Sequence, residues 1–294
     1  MNYKIEIADL RDKATVSELQ HLIQEAFQST ALLPENRLLS NINSNATEPS
    51  FFLVAKENEK IIGCNGFIAN DFMFNERHYV GYQSCWSATH PQHRGKAVFT
   101  GIINEAKEIL KNKGAGFLYG IPNENSRPVF INKLEFTEIL SMTVRIFNIP
   151  FYKRIYLKKT NADINDVCSI NEEQVATHKM TQHPADIKTI FYNGSMIWGK
   201  LVKKRKFGIK VSAFYVGGIE LKKETDLEVL FDLVFKIHKV LFVQLLSCET
   251  HSLNVLVRGW RRSKHMNGFI YYNLNMPEPW TRHFNVMIGA IDVF

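Results

Sequence analysis

Thr89-His90-Pro91-Gln92-His93-Arg94-Gly95-Lys96-Ala97 is the stretch of this 294-residue chain whose reading decides the fold. Before it, Tyr79 to Thr89 reads as a strand; after it, Val98, Phe99, Ile102, Ile103, Ala106, Ile109 and Leu110 form the apolar stripe of a helix. Pro91 removes a ladder donor and ends the strand, so the stretch is a strand-to-helix turn. A helix N-terminus presents unpaired N–H groups and a partial positive charge. Gly95 lets an anion approach the backbone, and Arg94 and Lys96 add full charges, so the turn is built to hold a pyrophosphate. It has neither the G-x-x-x-x-G-K-[ST] nor the G-x-G-x-x-G spacing.

Working outward, strand and helix signals alternate. Lys4–Asp9 reads as a strand, and Val16, Leu19, Leu22, Ile23, Ala26 and Phe27 recur at helical spacing. Phe51–Lys56 and Ile61–Ala69 flank the polar link Glu57-Asn58-Glu59-Lys60 as a hairpin. Gly114 and Gly116 stop the central helix, Phe117–Ile121 is a short strand, Ser126-Arg127-Pro128 opens another helix, and Thr143–Ile149 is a strand. After Pro150 the basic stretch Tyr152 to Lys159 and the polar segment Thr160–Asn165 read as a crossover, which divides the chain into domains at 1–155 and 156–294. The second half repeats the order: strand Ile209–Val216, helix Leu227–Val240, strand Leu241–Cys248, helix Ser252–Trp260, strand Gly268–Leu274. Nothing in Gly217–Leu227 reproduces the glycine-basic turn, so the second copy is expected to lack a cofactor site.

Gln92, Gly95 and Ala97 match the pyrophosphate motif [Q/R]-x-x-G-x-[G/A], and over residues 4–150 the chain resembles the GNAT superfamily of acyl-CoA-dependent N-acyltransferases. Tyr119-Gly120-Ile121-Pro122-Asn123-Glu124-Asn125-Ser126-Arg127-Pro128, followed by Leu134-Glu135-Phe136, looks like that family's last strand, Asn-bearing turn and "L-G-F" helix end. The resemblance implies an α/β (α+β) fold with a mixed splayed sheet flanked by helices, parting between the strand that ends at Thr89 and Phe117–Ile121, and followed here by a second, degenerate copy. It implies acyl-CoA, acetyl or short hydroxyacyl, as co-substrate, held by Ser87, Thr89, Gln92, Arg94, Gly95, Lys96, Ala97 and Asn125. An amine would attack the thioester directly, with Glu124 or His90 as its base. Glu135 stands where the family usually has glycine, and no tyrosine lies between Ser126 and Phe136 to protonate the departing thiolate.

The longer arrangement looks like sugar N-acyltransferases of bacterial surface-polysaccharide pathways, whose acceptor is a nucleotide-linked amino-deoxyhexose. That resemblance implies a small-molecule acceptor, with Trp86, Tyr192 and Trp198 available to stack on a base or sugar ring. Other amines (an antibiotic, a polyamine, a protein lysine) and a non-catalytic CoA-binding module are the alternatives.

Composition sets the outer bounds. With 45% hydrophobic and 22% charged residues the chain is an ordinary globular sequence, and a net charge of +7 suits an anionic partner. Cys64, Cys85, Cys168 and Cys248 lie far apart with no C-x-x-C pair, so neither a metal nor a disulfide framework is expected. The N-terminal residues lack the apolar core of a signal peptide, and Val229 to Leu246 is broken by Asp232, Lys236, His238 and Lys239, so a cytoplasmic protein with no membrane partner is expected. Lys203-Lys204-Arg205-Lys206 reads as a solvated turn, and no nucleic-acid-binding motif accompanies it.

Overall fold

The computed structural model describes residues 3–33, 35–40, 46–148, 167–182, 185–206, 209–248, 261–263, 268–277 and 283–285. The chain divides into two compact units: Met1–Asp71 with Tyr79–Glu138 and Ile270–Met276, and Phe72–His78 with Ile139–Phe269 and Pro277–Phe294.

The first unit runs β1 (Lys4–Ile7), α1 (Lys13–Phe27), α2 (Glu35–Ser40), β2 (Phe51–Glu57), β3 (Lys60–Phe74), β4 (Arg77–Thr89), α3 (Val98–Asn112), β5 (Phe117–Gly120) and α4 (Arg127–Lys133). β2 carries five buried residues in a row, which is what a strand covered on both faces requires. Its two-residue period sorts them. Phe51, Leu53 and Ala55 face the core built with Val98, Ile102, Ile103, Ala106 and Leu110 of α3, whereas Phe52 and Val54 face the core built with Leu19, Leu22 and Ile23 of α1. Two helical layers therefore sandwich one sheet. Asp12 starts α1 by accepting from the N–H groups of Ala14 and Thr15, both at 3.1 Å. On α3 the buried Lys107 Nζ donates to Leu134 O at 2.6 Å and lies 3.8 Å over the Tyr272 ring, tying the end of α4 to the sheet.

The rest of the chain carries β6 (Thr137–Asn148), β7 (Val167–Ile170), α5 (Glu172–Gln182), β8 (Ile187–Tyr192), β9 (Ser195–Lys206), β10 (Ile209–Glu220), α6 (Asp226–His238), β11 (Phe242–Cys248), β12 (Arg261–Ser263), β13 (Gly268–Asn273) and β14 (His283–Asn285). In the second unit the strand order is β6-β11-β10-β9-β8, with β8-β9-β10 antiparallel and β10-β11 parallel. Leu227, Leu230, Phe231 and Val234 of α6 pack on Ile197, Phe214 and Val216 of the sheet. Hairpin, third strand, helix and parallel strand thus recur in the second unit in the order β2-β3-β4-α3-β5, and the fold is mixed α/β with two sheets.

Two sequence expectations change, and two strands are added. Gly268–Leu274 forms β13 but pairs antiparallel with β5 (Tyr271↔Tyr119), so it extends the first unit's sheet and does not end the repeat. Lys203–Lys206 lies on β9, where Arg205 pairs with Lys210 and Lys203 with Ser212, so it is a strand and not a turn. β8 and β9, which the sequence reading left unassigned, hold Tyr192 and Trp198. The expected helix Ser252–Trp260 and the expected crossover, Tyr152 to Asn165, lie outside the described residues.

Candidate active site

β4 runs for 13 residues, yet its parallel ladder with β5 covers only Gly81↔Phe117, Tyr82↔Leu118 and Gln83↔Tyr119. β5 ends at Gly120, so residues 84–89 of β4 continue without a β5 partner, and a wedge opens on that side of the strand. Within this stretch Trp86 has φ +50°, a left-handed conformation that is costly for a bulky residue. β3 holds it in place. Cys64 Sγ donates to Trp86 O at 3.5 Å, and the fully buried Asn65 accepts at Oδ1 from Ser84 Oγ at 3.2 Å and from Ser87 Oγ, while its Nδ2 donates to Gly66 O at 2.8 Å. Burial pushes the Cys64 thiol up to about 12, so it stays protonated as this donor requires. The sequence reading missed Asn65; the one available signal was a single amide inside the run Ile61-Ile62-Gly63-Cys64-Asn65-Gly66-Phe67.

After Thr89 the His90 N–H donates to Ile62 O at 2.9 Å, a short 3-10 turn spans Pro91–His93, and α3 starts at Val98. Gly95 has φ +78° with nothing within 4 Å of where a Cβ would stand, and Ala97 has φ +58°. These left-handed residues turn the chain into α3, whose N-terminus carries no side-chain cap. The first N–H groups of α3 are therefore left for a ligand, and Gly95 provides an unobstructed approach. Gln92, Arg94 and Lys96 are exposed around this turn. Arg94 also donates to Ala26 O at 2.9 Å in the last turn of α1, so it braces the turn as well as charging it.

The two expected bases differ in setting. His90 Nδ1 accepts from the Gln92 N–H at 3.3 Å and Nε2 lies 3.4 Å from Glu25 Oε1. An Nδ1 that accepts leaves the proton on Nε2, directed at Glu25; both ring nitrogens are then engaged, and His90 builds the turn instead of offering a lone pair to an amine. His93 differs: Nε2 lies 3.0 Å from Glu57 Oε2 and the ring is edge-on to His90 at 5.4 Å, but its buried Nδ1 has no hydrogen-bond partner among the described residues. Glu124 is exposed in the turn after β5. That turn is capped by Asn123, whose Oδ1 accepts from the N–H groups of Asn125 at 3.0 Å and Ser126 at 2.9 Å. Asn125 is therefore not the cap, and its own amide is exposed and makes no hydrogen bond among the described residues.

Of the expected stacking residues, Trp86 is half-buried on β4, packed against the α1 core, and Tyr192 packs half-buried on the core of the second unit. Trp198 is 0% exposed. A Cβ on Gly217 would lie 2.4 Å from its ring and one on Gly218 2.4 Å from Nε1, so the indole is pressed onto backbone and has no face for a ligand. No group of three metal-ligating side chains occurs among the described residues.

The charge is split unevenly. The second unit holds 23 Lys and Arg against 14 Asp and Glu, a surplus of +9, while the first holds 13 against 15 and is at −2. The CoA-type turn is thus a local cationic feature on a slightly acidic unit.

Comparison with known proteins places these features. The chain matches a probable N-acyltransferase from Enterococcus faecalis with a TM-score of 0.64 at 10% identity, covering 94% of this chain and 73% of that one. A GCN5-related N-acetyltransferase from Kribbella flavida matches with a TM-score of 0.63 at 10% identity over 93% of this chain and 72% of that one. Eis1 from Mycobacterium abscessus matches with a TM-score of 0.61 at 9% identity over 92% of this chain and 73% of that one. At such identities the likeness speaks for the fold, and a comparison with curated protein sequences finds no match. The family model described as "Acetyltransferase (GNAT) domain" matches residues 9–139, which hold the wedge, the strand with left-handed Trp86 and the uncapped helix. Residues 9–139 are thus similar to a GNAT acetyltransferase domain, and acyl-CoA-dependent N-acyl transfer is the activity that this match supports.

Proposed function

We propose that the enzyme transfers an acyl group from acyl-CoA to the amine of a nucleotide-linked amino sugar in cell-surface polysaccharide biosynthesis. The observation that carries the acceptor class is the charge split: the +9 surplus of the second unit exceeds anything the CoA turn uses, and an acceptor bearing a diphosphate is attracted by it. The domain division at 155/156 belongs to the same reading.

In this reading the pyrophosphate lies on the uncapped N–H groups of α3, with Gly95 admitting it and Arg94, Lys96 and Gln92 around it. Residues 84–89 of β4, free of β5, offer backbone groups near Ser87 and Thr89 to the pantetheine arm, as a missing strand would use them. A backbone N–H of this stretch, held by the Asn65 clasp, stabilises the oxyanion formed as the amine adds to the thioester carbon. Glu124 takes the proton that the nitrogen loses, since His90 has both nitrogens engaged; Asn125 orients the cofactor or a water beside it. The C–S bond then breaks and CoA leaves as a thiolate, which takes its proton from water, since no tyrosine lies between Ser126 and Phe136. Half-buried Trp86 on β4 is the aromatic residue of this unit proposed to meet the acceptor.

The test is thiol release with one acyl-CoA and three acceptors: a dTDP- or UDP-linked amino sugar, the same sugar free, and a lysine peptide. Where the nucleotide's binding energy positions the amine, kcat/KM is far higher for the linked sugar. Equal values for the two sugars, or preference for the peptide, overturn the acceptor and leave N-acyl transfer standing.

A further inference from the structure

We propose that one end of the second unit is a docking surface for an anionic lipid bilayer. The β9–β10 hairpin carries Lys200, Lys203, Lys204, Arg205, Lys206 and Lys210, with no Asp or Glu between Gly199 and Ile219. Arg205 lies directly opposite Lys210 across the strands, and Lys203, two residues before Arg205, shares its face. Like charges placed opposite each other destabilise a hairpin unless something anionic lies over them. Lys203, Arg205 and Lys210 are exposed and form no ion pair among the described residues. Asp186 borders the ribbon, its carbonyl accepting from Leu201 N–H at 3.0 Å, but its carboxylate pairs with none of the three.

Any polyanion answers to that charge; the neighbouring aliphatic side chains select the bilayer. Leu241 N–H donates to Ser212 O at 2.9 Å, and Ser212 is the cross-strand partner of Lys203, so the start of β11 lies at the cationic end of the hairpin. Leu241 is 44% exposed and Ile237, in the last turn of α6, is 57% exposed; between them stands Lys239, exposed and left-handed at the helix end. Cations beside protruding aliphatic side chains match a surface with phosphate at the headgroups and hydrocarbon just beneath. A nucleic-acid backbone would use the cations and leave Ile237 and Leu241 in water. No described helix is long and apolar enough to cross a membrane, so the attachment is peripheral.

The test is co-sedimentation of the full chain with vesicles of phosphatidylcholine alone and of phosphatidylcholine with one-third phosphatidylglycerol, at low and high salt. Binding is expected on the anionic vesicles only, falling with salt and falling roughly five-fold for each cation removed in Lys203→Gln, Arg205→Gln and Lys210→Gln, so roughly a hundred-fold in the triple variant. Ile237→Ser with Leu241→Ser should weaken binding and preserve its salt dependence. Retained CoA binding and unchanged tryptophan emission show that the variants fold. Equal partition onto neutral and anionic vesicles, a triple variant that binds as well as the parent, or retention on a DNA duplex that exceeds retention on vesicles and ignores the aliphatic changes would each overturn the proposal. None of these outcomes depends on which amine is acylated.

Discussion

Asn65 Oδ1 on β3 accepts from Ser84 Oγ at 3.2 Å on β4, and the same oxygen accepts from Ser87 Oγ. One buried amide thus spans the left-handed Trp86 from both sides and fixes the backbone of the splayed strand. Removing it in Asn65→Ala strands two hydroxyls and leaves Gly66 O with only the Cys85 thiol, at 3.6 Å, as side-chain donor. We expect a loss of about 1–3 kcal/mol of stability and a fall in kcat larger than any change in CoA affinity, because the clasp supports β4 and not the pyrophosphate turn. Ser84→Ala leaves Ser87 in place and should cost less. Thermal unfolding beside steady-state thiol release separates the two effects; a normal kcat in Asn65→Ala removes the clasp from catalysis.

At Gly95 the φ of +78° and the empty space beyond the missing Cβ point to different costs. Gly95→Ala pays roughly 1 kcal/mol for a left-handed conformation and places a methyl where phosphate is expected. Gly95→Asp adds a negative charge there and should abolish CoA binding with the fold intact. Calorimetry at two salt concentrations checks this, and parent affinity should fall with salt. An unchanged affinity in the aspartate variant would remove the pyrophosphate role of the turn.

Glu124 and Asn125 sit side by side in the exposed turn capped by Asn123, and only one of them can take a proton. Glu124→Gln should lose turnover while CoA still binds, and Asn125→Ala should raise the KM for acyl-CoA more than it lowers kcat. His90→Gln serves as the contrast: losing the Nδ1 acceptor should weaken CoA binding by loosening the turn. Parent-like rates in Glu124→Gln at neutral pH would assign deprotonation to water or another group.

Glu172, at the start of α5, is buried with its Oε2 accepting from Trp198 Nε1 at 3.0 Å. Burial pushes its carboxyl up to about 8; the indole N–H opposes the shift and nearby Glu220 adds to it. The folded state therefore holds a proton that the unfolded chain releases near the ordinary carboxyl value of 4.5. This group's stabilisation is complete below that value and declines by on the order of 1 kcal/mol per pH unit until pH passes the folded value, after which it stays lost. Glu172→Gln keeps an acceptor for Trp198 and removes the ionisation. It should flatten the decline between those pH values and make the second unit more stable than the parent in mildly alkaline buffer, read from denaturant unfolding by tryptophan fluorescence. Parallel pH profiles for parent and variant would show that Glu172 ionises normally.

Much of the first unit was legible because its signals are local. The strand, the proline stop, the glycine-basic turn and the apolar stripe of α3 follow one another within thirty-four residues, Tyr79 to Asn112. The Asn65 clasp was not, since it joins positions about 20 apart through side chains with no spacing rule. His90 has the chemistry of a base, and only its two partners, Gln92 N–H and Glu25, reveal that it is engaged. Trp198 was read from residue type alone, whereas the paired glycines at 217 and 218, which draw the indole onto the backbone, lie on another strand. β13 misled for a similar reason: Gly268–Asn273 has the pattern of a strand, and its partner β5 lies some 150 residues earlier in the chain.

The second unit repeats the geometry that precedes the CoA turn, which makes its lack of the turn testable. β10 pairs with β11 only from Ala213↔Phe242 to Val216↔Leu245 and then continues to Glu220 with β9 but without β11, as β4 continues beyond β5. Here the link to the helix is short, residues 221–225, and contains no glycine. The first turn of α6 carries Asp226 and Glu228, so negative charge already sits on the N-terminal N–H groups that would otherwise attract phosphate. Asp226 is buried and accepts from Ser195 Oγ at 2.7 Å, and that hydroxyl accepts in turn from Lys222 N–H at 2.8 Å, which locks the link against the β8–β9 turn. Where β10 has no β11 partner, Trp198 and Glu172 fill the space over Gly217 and Gly218. We expect one CoA per chain by calorimetric titration, with Gly95→Asp reducing the stoichiometry to none. Asp226→Ser should lower stability by about 1–3 kcal/mol, since Ser195 loses its acceptor, without creating a second site. A stoichiometry near two, or residual CoA binding in Gly95→Asp that disappears when Lys222 and Lys223 are also changed to glutamine, would show that the second unit has kept a working cofactor site.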